Sequence, residues 1–340
     1  KTGAKLYFKL FDGPLEPAEK GASVVMIKTP ICDLLGIEYP VFQGGMAWIA
    51  DASLAAAVSN GGGLGIISAM NANGEWLRGQ IREAKKLTDK PFGVNIMLMS
   101  PFADEVAKVV VEEGVPVVTT GAGNPAKYMP AWLEAGIKVI PVIPSTGIAK
   151  RVARAGAAAV IAEGGESGGH IGELTTMALV PQVCDAVDIP VIAAGGIADG
   201  RGFAAAIMLG AVGVQMGTRF LVAHECNVHP NYKKKILEAG DIDTASTGRR
   251  LGHPVRSLKT PFTREYMKKE YDPNVSNEEL EGLGAGALRK AAVEGDEKAG
   301  CFLAGQIASM VTKEQPAAEI ITDVCTQAEE ILKGACKWVR

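Results

Sequence analysis

The segment of this chain best equipped for chemistry is Glu163-Gly-Gly-Glu-Ser-Gly-Gly-His170. A histidine set among Gly164, Gly165, Gly168 and Gly169 stands in too open and flexible a context for a core residue. Imidazole gains or loses a proton near neutral pH, so His170 suits an acid/base or substrate-orienting role. Further along, Gly195-Gly196 and Gly217-Thr218 form two turns one structural unit apart. Glycines let an anion approach backbone N–H donors, and a helix starting near Ile197-Ala198-Asp199 would add partial positive charge. One Gly-Gly pair would mean only a tight turn. Two such turns at consecutive strand ends point to a bound phosphate group.

The elements that must position these residues follow one rhythm. From Pro40 onward, short Val- and Ile-rich runs alternate with Ala-, Leu- and Lys-rich helical stretches. Strands are predicted at 41–43, 64–68, 93–97, 115–119, 138–142, 159–162, 190–194 and 213–216. Helices are predicted near 52–59, 75–87, 104–113, 126–135, 148–155, 176–187 and 202–209. Successive strands begin about 20 to 32 residues apart, the length of one β-turn-α-turn unit. Eight units with near-continuous apolar strands predict an α/β fold of the (β/α)8 TIM-barrel type. No G-x-G-x-x-G follows the first strand, which counts against an open dinucleotide-binding sheet. The barrel is expected over 26–248, with 249–340 as a C-terminal extension that covers the mouth and has helices packing back on the barrel. Pro254, Pro261 and Pro273 interrupt that extension, and helical stretches are expected at 307–311 and 319–332. Residues 1–25 carry interspersed charges unlike a signal peptide and are set apart from the fold as an added or poorly ordered segment.

Read in order, the strand ends offer Gly45-Met46-Ala47, then Ser68, Asn95, Glu163 and Ser167, the Gly195-Gly196 turn, and Gln215 with Gly217-Thr218. Small and hydrogen-bonding residues throughout imply a broad, flat ligand pressed against backbone. No lysine stands at any of these ends, which counts against a Schiff-base aldolase or isomerase. Four histidines without a carboxylate cluster fit no usual catalytic metal site. Six cysteines lack a C-x-x-C pair and read as buried, reduced thiols. A net charge of −3 argues against nucleic-acid binding. No uncharged apolar run of about 18 residues is present to span a membrane, and a cytoplasmic location is expected. The bases from Arg249 to Lys269 read as a solvated face, or as an attraction for an acidic carrier or nucleotide phosphates.

Taken together, Gln43-Gly-Gly-Met46, Gly93-Val-Asn95, the Glu163–His170 segment, Ala193-Ala-Gly-Gly-Ile197 and Gln215-Met-Gly-Thr-Arg219 resemble the superfamily of nitronate monooxygenases and enoyl-acyl carrier protein reductases II. The enoyl reductase II branch, the FabK type, is the nearer match. It shares His170-Ile-Gly172 with Thr175-Thr176-Met177, Gly252-His-Pro-Val-Arg256, and the run from Gly286-Ala-Leu-Arg289 to Ala304-Gly-Gln-Ile307. Nitronate monooxygenases more often carry Arg where this chain has Ile171, and the family's usual Ala is Ser167 here.

The resemblance implies an FMN-dependent barrel. Gly195, Gly196, Gly217 and Thr218 would hold the FMN phosphate, Gly45, Met46 and Ala47 would underlie the ring, and Asn95, Glu163 and Ser167 would bond ring or ribityl chain. Ser68 and Gln215 complete the expected cofactor set. NADH or NADPH would supply hydride and an enoyl thioester on acyl carrier protein would receive it at the β carbon. His170 would orient the thioester carbonyl or protonate the α carbon. The family's use of monovalent cations extends to this chain as an expectation, as does a homodimer. The rival reading, oxidation of alkyl nitronates, shares fold and cofactor.

Overall fold

The computed structural model describes residues 27–70 and 72–338, so the segment set apart at 1–25 lies outside the described residues. Eight parallel strands form the central sheet: β1 (Val41–Gln43), β2 (Gly65–Ser68), β3 (Phe92–Met97), β4 (Val117–Gly121), β5 (Lys138–Ile143), β6 (Val160–Glu163), β8 (Val191–Ala194) and β9 (Gly213–Met216). Their order is β1-β9-β8-β6-β5-β4-β3-β2, and a parallel bridge between Phe42 and Leu64 joins the two ends into a barrel. The predicted strands are all present with small shifts, the largest at β4, expected at 115–119 and found at Val117–Gly121.

Alternation along each strand explains the closure. Ile66, Val117, Ile140, Ile161 and Ile192 point inward and pack with Phe42 and Leu64. Their neighbours Ile67, Val118 and Val139 point outward against the surrounding helices. A strand buried on both faces must be apolar at every position, which is why the runs read as continuous. A short helix, Pro30–Leu35, closes the end where the strands begin, placing Ile31, Cys32 and Leu35 in the inner cluster. Pro30 opens it and Gly36, at φ 68°, ends it in the left-handed conformation that glycine tolerates.

The predicted helices are found, with one interrupted: 126–135 is a 3-10 turn, Pro125–Lys127, followed by Met129–Glu134. In the extension, the long helix Ala317–Gly334 packs back on the outside of the barrel, against the helices Gly200–Met208 and Ala52–Asn60. Among the described residues of the extension, the part around Leu288, Leu303, Gly305 and Ile307 lines the mouth. A second, antiparallel sheet joins β10 (Thr244–Thr247), β11 (Val255–Leu258) and the two-residue β7 (Gly169–His170) in the order β10-β11-β7. The expected boundary between 248 and 249 falls inside the hairpin linking β10 to β11. Two further helices, Pro261–Glu270 and Asn277–Gly284, pack through Phe262, Tyr266 and Leu280.

Glu270 secures that hairpin. Its carboxylate is 3% exposed and accepts from the N–H groups of Gly248 at 3.1 Å and Arg250 at 2.9 Å. Glu270→Ala leaves both donors without a partner, and we expect it to lower the unfolding free energy by about 2–4 kcal/mol, read from urea denaturation.

Candidate active site

The barrel strands end at a cavity of about 460 Å³, a size suited to a cofactor with part of a substrate. Gly45, Met46, Ala47, Asn95, Glu163, Ser167, His170, Gly195, Gly196, Gln215, Gly217 and Thr218 all line it. Ser68 does not. It ends β2 beside Asn95, 3% exposed, and its Oγ is buried without a hydrogen-bond partner among the described residues. A polar residue at a strand end marks the level of the cavity, and there Asn95 reaches the wall while Ser68 stays buried off it.

The turn after β1 passes directly over Asn95. A Cβ on Gly45 would lie 2.4 Å from the Asn95 Cβ, so no side chain fits there without displacing Asn95. Thr119 Oγ1 donates to Asn95 Oδ1 at 2.9 Å. That bond fixes the amide and leaves its N–H groups as the donors for a ligand. Gln215 lies close beneath Gly44.

Gly195 and Gly196 adopt φ values of 90° and 73°, and a Cβ on Gly195 would sit 2.8 Å from Gly164 O. Among the described residues, the N–H groups of Gly195, Gly196, Gly217 and Thr218 find no acceptor. Thr218 Oγ1 accepts from the Gly305 N–H at 2.9 Å, which leaves its own proton to donate. These free donors lie at the turns where the sequence reading expects an anion. The helix N-terminus contributes less than expected. The helix Gly200–Met208 is capped by Asp199, which accepts from the Arg201 N–H at 2.9 Å, and Gln327 takes the Gly200 N–H at 2.7 Å.

Glu163 accepts a 2.8 Å hydrogen bond from Ser167 Oγ, and burial pushes its carboxyl up to about 7. A raised folded-state value means that the native protein binds this proton more tightly than the unfolded chain does. Stability is therefore lost as pH rises from the carboxylate's ordinary value toward 7. Glu163→Gln carries no such titration. Its stability relative to the parent should grow by up to about 3 kcal/mol between pH 5 and pH 8, measured by urea denaturation at each pH.

His170 closes β7 and keeps an exposed face. Desolvation first, and the neighbouring His253 second, hold its imidazole below the usual histidine value. Sequence reasoning missed Glu166. Its carboxylate accepts from the Thr176 N–H at 3.0 and 2.9 Å and from Thr176 Oγ1 at 3.0 Å, tying the glycine-rich loop to the start of the helix Thr176–Ala186. The Thr175-Thr176 pair was its only signal, too far along the chain for pattern reading to connect. Burial pushes the Cys226 and Cys301 thiols up to about 11, which removes them as nucleophiles. Among the described residues no group of three His, Cys, Asp or Glu is placed to hold a metal ion. Among the same residues no helix is long and apolar enough to cross a membrane.

The model of the nitronate monooxygenase family matches residues 28–327. The chain belongs to this family. Among solved structures it is similar to FabK from Thermotoga maritima, at 52% identity over 92% of this chain and 100% of that one, with a TM-score of 0.90. A probable nitronate monooxygenase of Staphylococcus saprophyticus is 34% identical, covering 90% of this chain and 99% of that protein. A (3aS,4S,5R,7aS)-5-hydroxy-7a-methyl-1-oxo-octahydro-1H-indene-4-carboxyl-CoA dehydrogenase of Mycobacterium tuberculosis is 44% identical over 70% of this chain and 68% of its own length. As a nitronate monooxygenase family member with a FabK-like barrel, the protein is an oxidoreductase of an FMN-dependent superfamily.

Proposed function

We propose that the protein is an FMN-dependent enoyl-acyl carrier protein reductase of fatty-acid synthesis, taking hydride from NADH or NADPH and reducing trans-2-enoyl thioesters. The observation that carries this reading is the likeness to FabK, 52% identical over 92% of the chain. The relative named as a carboxyl-CoA dehydrogenase adds support for a thioester substrate. Ile171, where nitronate monooxygenases more often carry Arg, lines the cavity next to His170 and gives that wall an apolar character.

The cavity suits FMN. The free N–H groups of Gly195, Gly196, Gly217 and Thr218 fit its phosphate, and the low wall of Gly45, Met46 and Ala47 fits a flat ring. When bound, FMN supplies the two-electron relay between the nicotinamide and the enoyl β carbon. The chain does the rest. Asn95, fixed by Thr119, presents amide donors to the ring, and Glu163, half-protonated near pH 7, donates as well as accepts. Leu288, Leu303 and Ile307 offer apolar surface to the acyl chain and exclude water. His170, neutral at pH 7, donates an N–H to the thioester carbonyl, whose oxygen gains negative charge as the β carbon is reduced. A depressed proton affinity favours this orienting role over proton donation to the α carbon. The exposed Lys259, Arg264 and Lys268 of the extension are open to an acidic carrier protein.

Steady-state turnover tests the reading. With NADH or NADPH, crotonyl thioester should be turned over at least about tenfold faster than ethyl nitronate in air. Rapid nitronate oxidation without thioester reduction would instead assign the activity named for the Staphylococcus saprophyticus relative.

A further inference from the structure

The barrel's own ladder does not carry His170. The histidine ends β7, and the strand partner of β7 is β11 of the extension: Val255 faces His170 and Arg256 faces Gly169. The Ile171 N–H also donates to Pro254 O at 3.0 Å. Arg256 then reaches back across the loop. Its Nε and Nη2 donate to Gly165 O at 3.1 and 3.0 Å, and its Nη1 donates to Thr244 Oγ1 at 3.4 Å. One residue therefore holds both ends of residues 165–169, by its backbone at Gly169 and by its guanidinium at Gly165.

That loop needs holding. Gly165, Gly168 and Gly169 lose more conformational freedom on ordering than other residues would. Two charge-assisted bonds from a half-buried arginine fork offset part of that cost. The neighbouring bases act elsewhere. Arg249 pairs with the exposed Glu173 at 3.0 Å, and Arg250 spends its guanidinium on the carbonyls of Glu270, Asp272 and Val275.

We propose that Arg256 is a positioning residue for His170: by clasping the glycine-rich loop to the extension, it fixes where the imidazole stands in the cavity. This rests on the reading that His170 serves thioester reduction. Arg256 is not among the cavity-lining residues, so its action passes through the loop.

The test introduces Arg256→Ala and Arg256→Lys into the FMN-loaded wild-type protein and into His170→Ala. Reduction of crotonyl thioester is assayed, and the His170 Cε1–H resonance, identified by its loss in His170→Ala, is followed by NMR. Arg256→Ala should slow thioester reduction about 10- to 100-fold with FMN still bound. Arg256→Lys should recover part of the loss, and both variants should shift the His170 resonance. In the His170→Ala background the arginine substitutions should cost nothing further, because no imidazole remains to be placed. Full multiplication of the two losses, or a His170 resonance in Arg256→Lys superimposable on the wild-type one, would overturn the proposal. If Arg256→Ala does not fold, Arg256→Lys carries both readouts. Wild-type protein without thioester turnover would refute the assigned reaction, yet the NMR comparison would still judge the clasp.

Discussion

Replacing His170 by alanine leaves FMN bound and slows enoyl-thioester reduction about 10²- to 10⁴-fold. The expectation follows from where the imidazole stands. It lines the cavity from β7 and supplies none of the N–H donors assigned to a phosphate, so its removal spares cofactor binding. The pH dependence should carry its signature. Burial and His253 keep His170 below its ordinary value, so it is neutral at pH 7 and gains a proton only in more acid solution than a free histidine does. The wild-type rate should fall on the acid side of pH 7, where His170 gains its proton, and the alanine variant should lack that acid limb. Rapid mixing of reduced protein with crotonyl thioester across this range reads both effects. Loss of flavin with unchanged activity per bound FMN would reduce His170 to a structural role.

Gly195→Ala should purify with less than about a tenth of the wild-type FMN and unfold about 1–3 kcal/mol more easily. At φ 90° an L-residue is strained, and the new methyl would lie 2.8 Å from Gly164 O in a wall with no slack. Relief requires the turn to move, and the turn carries the N–H groups assigned to the phosphate. Gly79→Ala is the matching control. Gly79 lies inside the helix Gly74–Leu87, its Cβ would meet nothing within 4 Å, and the change should leave FMN content unaltered. Absorbance near ~450 nm per mole of protein gives the FMN content, and urea denaturation gives the stability. A Gly195→Ala protein as yellow as its parent would remove the phosphate from this turn.

Much of the barrel was legible because its signal is local. Val and Ile in short runs, each ended by a small or polar residue, fix the strands and the level of their ends. The same reasoning places Asn95, Glu163 and Gln215 on the cavity, since a polar side chain closing an apolar strand must face something polar. It fails for Ser68, where the strand end was right but the side chain is buried off the cavity. The helix Pro30–Leu35 had its start and stop signals at Pro30 and Gly36 but is too brief for a periodic pattern. The strand β7 was beyond reach for another reason. Gly169 and His170 are a strand only because Val255 and Arg256 pair with them from far along the chain. The helix N-terminus expected to help hold the phosphate was likewise claimed by Gln327, from a helix packed on the outside of the barrel. Long-range partners decide such positions, and no window of sequence contains them.

One experiment bears most directly on the assigned reaction. The protein, loaded with FMN and reduced under anaerobic conditions by NADH or NADPH, is mixed with crotonyl thioester while absorbance near ~450 nm is followed. Rapid return of the oxidised flavin spectrum, with one butyryl thioester formed per flavin, is the predicted result. A reduced spectrum that persists in thioester, with the oxidised spectrum returning only when oxygen is admitted, would contradict the account.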